Sequence, residues 1–137
     1  MQLDEIEEHL RKDSRKMLFL SGNPACGKTT VVTKLIAQHG FQYVNVALVS
    51  KPEQIFVQLF RQLTNTERVI SAENAYKFLQ DYKKRATVVV DEVDYLTRKG
   101  FDALYRLCAL PFQLILVANS LSFVEEITAQ RESSRLS

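Results

Sequence analysis

The sequence predicts an α/β fold in three layers, with helices on both faces of a mainly parallel β-sheet. Short apolar runs of the length of buried strands alternate along the chain with segments whose apolar residues recur at helical spacing. One of these runs leads directly into a glycine-containing loop, and a helical pattern follows the loop. Strands that alternate with helices imply βαβ crossovers, and in such sheets ligands bind beyond the carboxyl ends of the strands.

The glycine-containing loop, residues 22–29, has the pattern of a phosphate-binding loop and follows the apolar run Met17–Leu20. In the pattern G-x-x-x-x-G-K-[ST], backbone N–H groups cradle phosphates, the lysine reaches the terminal phosphates and the hydroxyl ligates Mg²⁺. Apolar spacing predicts a helix from Lys28 to Gln38, so the anion would lie at a helix N-terminus, which favours negative charge. The alternative is a glycine turn with a solvated lysine, and the strand and helix around the loop favour the phosphate site. The predicted phosphate-binding residues are Gly22, Asn23, Pro24, Ala25, Cys26, Gly27, Lys28, Thr29 and Thr30.

The elements on either side of the loop and its helix follow from apolar spacing. Residues 3–10 carry apolar side chains at i, i+3 and i+7, which predicts a short amphipathic leading helix within residues 1–16. Residues 41–46 alternate apolar and polar side chains, as expected of a strand with one wet face at or near a sheet edge. Ser50 begins a capping box with proline in the first turn, which predicts that a helix starts there and continues to Leu63.

Two further strands and two helices are predicted in the second half of the chain. Ser71 has the character of an N-cap, and its helix is predicted to close on Lys83–Arg85, where the helix dipole favours cations. That basic run is either solvated, which we favour, or in contact with DNA. Thr87–Val90 and Leu114–Ala118 are apolar without alternation, as in strands buried on both faces. The helix between them is predicted to bury one face, formed by Phe101, Leu104, Tyr105 and Cys108.

Polar residues follow these two strands where the site of such a sheet is expected. Asp91 and Glu92 come directly after Val90, and Asn119 comes after the last predicted strand. We predict that Thr29 and Asp91 hold Mg²⁺ beside the phosphates, the carboxylate directly or through water. Glu92, on the other side of an extended chain, would polarise an attacking water as general base. Asn119 would orient that water or contact the γ-phosphate, unless it merely ends the strand.

The composition is that of an ordinary globular protein. The chain has 137 residues, 46% apolar and 25% charged, which favours one folded domain over a disordered or fibrous chain. Its net charge of +2 gives no general attraction to nucleic acid, so a DNA contact would need a local basic patch. The apolar runs are too short to span a bilayer and the acidic N-terminus is unlike a signal peptide, so we expect an intracellular protein with no membrane partner.

With both nucleotide motifs placed, the sequence resembles the AAA+ ATPases, a class of P-loop NTPases. More narrowly, it is similar to the replication initiators, which are the origin recognition complex subunits and the related cell-division-cycle loader protein. Residues 22–29 resemble the first Walker motif of this family, residues 90–96 its second, and residues 98–105 the segment that follows. Asn119 and its neighbours resemble sensor 1, and Arg135 lies in a segment like the one where members carry an arginine finger. The resemblance therefore implies that Asn119 is sensor 1 and that Arg135 acts in trans on a neighbouring subunit.

The resemblance also implies a fold, an activity and partners. The fold would be the three-layer α/β/α AAA+ core, in one domain over residues 1–137, with the partial core in residues 17–137. The activity would be ATP binding with Mg²⁺ and slow hydrolysis. The partners would be other AAA+ initiator subunits in a ring or arc, origin DNA through that assembly, and the replicative helicase. We expect a nuclear location, or a cytoplasmic one if the protein is archaeal.

The sequence departs from the family in what would follow its last residues. Family members continue into a fifth strand, a helical lid with a sensor 2 arginine and usually a winged-helix DNA-binding domain, so the fold is expected to be incomplete at the C-terminus. The chain would then be either a fragment or a reduced protein that has lost hydrolysis and DNA contact. Two other functions stay open: a non-hydrolysing subunit that uses nucleotide to hold a partner, and a P-loop kinase of small molecules. Glu92 beside Asp91 argues against the kinase, because that pair suits the activation of water.

Overall fold

A four-stranded parallel sheet organises the described part of the chain. The computed structural model describes residues 17–21, 28–99 and 102–119. Its strands are β1 (Met17–Ser21), β2 (Gln42–Asn45), β3 (Thr87–Asp91) and β4 (Gln113–Ala118). They lie in the order β1-β4-β3-β2, and every neighbouring pair is parallel. The prediction of an α/β fold with a parallel sheet is confirmed.

Helices cover both faces of this sheet. The helices are α1 (Lys28–His39), α2 (Gln54–Thr64), α3 (Ala72–Gln80) and α4 (Asp102–Cys108), and two 3-10 segments span Val46–Leu48 and Val93–Lys99. On one face Val32 and Leu35 of α1 pack into a cluster with strand residues, and on the other face α2, α3 and α4 share a larger cluster. In β3, Val89 belongs to the first cluster and Val90 to the second, because successive side chains of a strand point to opposite faces. The fold therefore has the three predicted layers.

The burial of the strands agrees with their apolar patterns. All six residues of β4 are buried, and Val88–Val90 of β3 are buried as well. These central strands have helices on both faces, which is why their side chains do not alternate. β2 lies at an edge of the sheet, as its alternation predicts, and β1 forms the other edge among the described strands.

The start of α3 is as predicted, and the start of α2 is not. The Ser71 hydroxyl accepts a hydrogen bond from the backbone N–H of Asn74 at 3.2 Å, a cap that contributes about 1 kcal/mol. The capping box at Ser50 is wrong as a helix start, because α2 begins at Gln54 and its cap residue Glu53 makes no side-chain cap bond. The Gln54 N–H donates to the carbonyl of Lys51 at 3.0 Å, so a tight turn precedes the helix and displaces its first residue.

The ends of the helices hold one confirmed and one corrected prediction. Gly40 stops α1 as predicted: its φ is 66° and its N–H donates to the carbonyl of Ile36 at 2.9 Å. The basic run Lys83–Arg85 does not lie in the last turn of α3, which ends at Gln80. The N–H of Asp81 donates to the carbonyl of Phe78 at 3.2 Å, which tightens the helix end, and the three cations lie exposed in the following loop.

The helix before β4 buries part of the predicted face together with one residue outside it. Leu104 and Leu107 of α4 are fully buried, whereas Tyr105 and Cys108 are only partly buried. Phe101 lies outside the described residues, as do the leading helix predicted in residues 1–16 and the region of Arg135. In the described part of the chain, the helices lack the length and apolarity needed to cross a membrane.

An aromatic and cationic cluster joins the three helices on the larger core. Phe56 of α2 is fully buried and meets the Tyr76 ring of α3 edge to face, with 4.8 Å between centroids. The Arg106 guanidinium of α4 lies 4.2 Å from the centroid of the Tyr76 ring and 5.3 Å from that of Phe56. Its Nη2 is also 3.2 Å from a carboxylate oxygen of Glu73. One arginine thus ties α4 to α2 and α3.

Candidate functional site

The four strands end together on one side of the sheet, which we call its carboxyl side. Ser21 pairs with Ala118, and Asn45 pairs with Asp91, so in register the strand ends lie within one residue of one another. α1 is joined to the start of β2, on the opposite side where the strands begin, through Gly40 and the residue after it. Its first turn therefore lies on the carboxyl side of the sheet. Helix N-termini carry free N–H groups, so the carboxyl side of the sheet is suited to bind an anion.

Asp91 is the last residue of β3 and is held by donors on both carboxylate oxygens. Its Oδ1 accepts the backbone N–H of Glu92 at 2.9 Å, and its Oδ2 accepts the hydroxyl of Tyr43 at 2.6 Å. Each of these oxygens still has a lone pair for a further ligand. The carboxylate is partly buried, with its plane fixed by the two donors.

Tyr43 was not predicted as a site residue. It lies in β2, and its hydroxyl accepts a long hydrogen bond from Asn45 Nδ2 at 3.5 Å while donating to Asp91. Burial, together with the Asp91 carboxylate, raises the pKa of Tyr43 to about 12. The phenol therefore keeps its proton at neutral pH and acts as a donor. The alternation of β2 puts positions 43 and 45 on the same side of the strand, but it does not indicate the contact with Asp91.

Glu92 was predicted to continue the extended strand, but it does not. Its φ is 55°, in the left-handed region that residues with a Cβ seldom occupy. The Asp91 carboxylate binds its N–H, and its carbonyl accepts the N–H of Tyr95 at 3.1 Å. A backbone outlier held in place by its surroundings is more common at functional sites than elsewhere. The prediction of an extended chain was wrong because the chain turns at this residue into the 3-10 segment.

Asn119 follows β4 on the carboxyl side of the sheet and is joined to the segment after β3. Its backbone N–H donates to both carboxylate oxygens of Asp94, at 3.0 and 3.2 Å, and its side chain is exposed. Asp94 was not predicted as a site residue, although it stands in the same acidic motif as Asp91 and Glu92. It fixes the end of β4 to the turn that carries Glu92.

A cleft of about 430 Å³ lies between α1 and the sheet, next to these strand ends. Its lining is mainly apolar, with Asp91 as its carboxylate, and consists of Val32, Thr33, Ile36, Ala37, Tyr43 and Asp91. Asp91 and α1 therefore face a common space. The α1 residues of this lining lie after the first turn of the helix, so the cleft runs along α1 from the side of the sheet where Asp91 lies.

The predicted phosphate-binding residues are only partly described. The backbones of Lys28 and Thr29 lie in the first turn of α1, and Thr30 is exposed beside them. The loop residues Gly22, Asn23, Pro24, Ala25, Cys26 and Gly27 lie outside the described residues, as does Arg135. The roles assigned to all these residues stay predictions.

The described residues are compatible with Mg²⁺ bound together with a nucleotide. Asp91 offers hard carboxylate oxygens, which Mg²⁺ prefers, and it lines the cleft that α1 also lines. No group of three or more histidine, cysteine, aspartate or glutamate side chains within 17–21, 28–99 and 102–119 could hold a metal ion. Mg²⁺ beside a nucleotide does not need such a group, because phosphates and waters supply most of its ligands.

A family model described as "AAA domain" matches residues 11–127 of the chain. The match covers all the described strands and helices and every predicted site residue except Arg135. It agrees with the fold that the structure shows, a parallel sheet between two layers of helices.

Three curated relatives share this region at low identity. Over 96% of its residues, the chain is 25% identical to origin recognition complex subunit 1 of Debaryomyces hansenii. Over 89% of its residues, it is 25% identical to the cell division control protein 6 homolog of Homo sapiens. It is 28% identical to the replication factor C large subunit of Methanococcus aeolicus over 67% of its length. The chain spans only 19%, 25% and 17% of these relatives, respectively.

Proposed function

Because the chain belongs to the AAA domain family and is similar to an origin recognition complex subunit 1 and a cell division control protein 6 homolog, we propose that it is an ATP-binding module of a DNA replication initiator. The module would bind ATP with Mg²⁺ and hydrolyse the nucleotide slowly within an assembly of AAA+ subunits. One observation carries the proposal best. Asp91, held by two hydrogen bonds at the tip of a central strand, faces the same cleft as the helix that follows the phosphate-loop motif.

Each step of the proposed reaction has a candidate residue. The amides of residues 22–27 and the Lys28 ammonium would neutralise the phosphates, and phosphoryl transfer depends mainly on such positioning and charge stabilisation. Thr29 and Asp91 would hold the Mg²⁺, which would neutralise charge on the phosphate oxygens when bound. Glu92 would take a proton from the attacking water, since it lies directly after Asp91 at the strand tip.

The roles of Asn119 and Arg135 belong to the same proposal. Asn119 follows β4, whose neighbour in the sheet is β3, so its side chain would orient the attacking water or contact the γ-phosphate. Arg135 would act on the nucleotide of a neighbouring subunit. Catalysis would then depend on assembly, as would contact with origin DNA and the loading of the replicative helicase. We place this activity in the nucleus, or in the cytoplasm if the protein is archaeal.

The central claim is tested by replacing the lysine of the phosphate loop. Lys28→Ala removes a charge-assisted hydrogen bond to phosphate, and we expect the chain to bind ATP about 10- to 100-fold more weakly. Retention of radiolabelled ATP on the purified chain, with Mg²⁺ present, measures this directly. Lys34→Ala is the matched control, because Lys34 is an exposed lysine of the same helix outside the motif. Equal retention by both variants and the parent chain, or no retention by any of them, would remove the claim.

A further inference from the structure

We propose that Tyr43 is a positioning residue that fixes the Asp91 carboxylate for Mg²⁺. The inference rests on the proposed function, and it assigns a role to a residue outside the two nucleotide motifs. It starts from the shortest hydrogen bond described at the strand ends, which joins the Tyr43 hydroxyl to Asp91 Oδ2 at 2.6 Å. A bond of that length between a hydroxyl and a carboxylate is charge-assisted and stronger than a neutral one.

The position of Tyr43 in the sheet accounts for this contact. β2 is the direct neighbour of β3, and Asn45 is paired with Asp91 while Tyr43 stands two residues earlier. Side chains two residues apart lie on the same side of a strand, and an aromatic side chain is long enough to reach a diagonal neighbour. The side chain of Tyr43 is therefore long enough to reach the carboxylate of Asp91, the last residue of the neighbouring strand.

The tyrosine is itself held in place from outside the sheet. Its backbone N–H donates to Oε1 of Gln62 at 3.1 Å, and its carbonyl accepts from Nε2 of the same amide at 2.7 Å. The Gln62 side chain thus satisfies the outer edge of β2 at this residue, much as a neighbouring strand would. Asn45 Nδ2 donates to the hydroxyl oxygen of Tyr43, and the hydroxyl in turn donates its proton to Asp91.

The effect of Tyr43 on a cation would pass through the carboxylate. Two donors, the Tyr43 hydroxyl and the Glu92 N–H, each engage one oxygen of Asp91, so the group cannot rotate without breaking a bond. Rotation would otherwise move the carboxylate oxygens relative to the cleft that Asp91 and α1 both line. Partners that orient a metal ligand typically change metal affinity by about 10- to 100-fold when they are removed.

The test measures how much Mg²⁺ is needed for nucleotide binding. We expect Tyr43→Phe to raise the Mg²⁺ concentration that half-saturates binding of a fluorescent ATP analogue by about tenfold, with binding in EDTA unchanged. Tyr76→Phe is the matched control, since the Tyr76 hydroxyl donates to the carbonyl of Arg106 at 2.8 Å, away from the strand ends. Its Mg²⁺ dependence should equal that of the parent chain, even if its thermal midpoint falls.

A second measurement separates positioning from a change in the fold. In an Asp91→Ala background, Tyr43→Phe should cause no further shift in Mg²⁺ dependence, because its effect passes through the carboxylate. An unchanged Mg²⁺ dependence in Tyr43→Phe, an equal shift in Tyr76→Phe, or the same shift with and without Asp91 would overturn the role of Tyr43 alone. A parent chain that binds no nucleotide at any Mg²⁺ concentration would overturn the proposed function and this inference with it.

Discussion

Replacing Glu92 with glutamine is expected to lower ATP turnover by about 10²- to 10⁴-fold and to leave ATP binding nearly unchanged. Glutamine has the size of glutamate but cannot take a proton from the attacking water. The hydrogen bonds that hold this turn use the backbone N–H and carbonyl of residue 92, so they persist in the variant. Phosphate release and retention of labelled ATP should be measured on the chain alone and together with the AAA+ subunits proposed as its partners.

Glu67→Gln is the control for this change, because Glu67 is an exposed glutamate in the loop between α2 and α3. Its turnover should match that of the parent protein. An equal fall in both variants would show that the loss does not come from the strand tip. The parent chain and Glu92→Gln could both bind ATP normally while neither hydrolyses it. That result would favour a non-hydrolysing subunit that uses nucleotide to hold a partner.

Replacing Phe56 with alanine is expected to lower the free energy of unfolding by about 3–5 kcal/mol. The ring is fully buried between α2 and α3, and it packs edge to face on Tyr76. Arg106 is held in place by Glu73 and lies over the Tyr76 ring, so the surroundings cannot easily collapse into the cavity. Because a domain is usually stable by only about 5–15 kcal/mol, urea unfolding followed by circular dichroism should show a large drop in the midpoint.

The same substitution at Phe78 provides the comparison. Phe78 packs edge to face on Phe60, with 5.0 Å between ring centroids, but 39% of it remains exposed. We expect Phe78→Ala to cost about 1–2 kcal/mol, since less apolar surface returns to water. Losses of equal size in the two variants would mean that burial between α2 and α3 does not control stability in this layer.

The parts of the fold that depend on local pattern could be predicted from the sequence. The runs of β3 and β4 lack alternation because both faces of those strands are covered, and that burial is visible in the residue types alone. The edge position of β2 follows from its alternation in the same way. Asp91 and Asn119 could be placed on the carboxyl side of the sheet because parallel strands share the direction of their carboxyl ends.

The parts that depend on contacts distant in the sequence could not be predicted. The hydroxyl of Tyr43 meets a carboxylate 48 positions later, and nothing local in β2 indicates that β3 will be its neighbour. Ser50 and Ser71 carry similar helix-start signals, yet only the second caps a helix in the predicted place. The difference lies in the tight turn at Lys51–Glu53, which the capping pattern does not specify.

The left-handed backbone of Glu92 sets stability against chemistry at one position. That conformation costs a residue with a Cβ about 1–2 kcal/mol, a penalty that glycine would escape. Directed evolution that selects for heat resistance alone would therefore favour glycine at position 92 and give a more stable protein that lacks the proposed proton acceptor. Libraries that include this residue should be screened for turnover alongside melting behaviour.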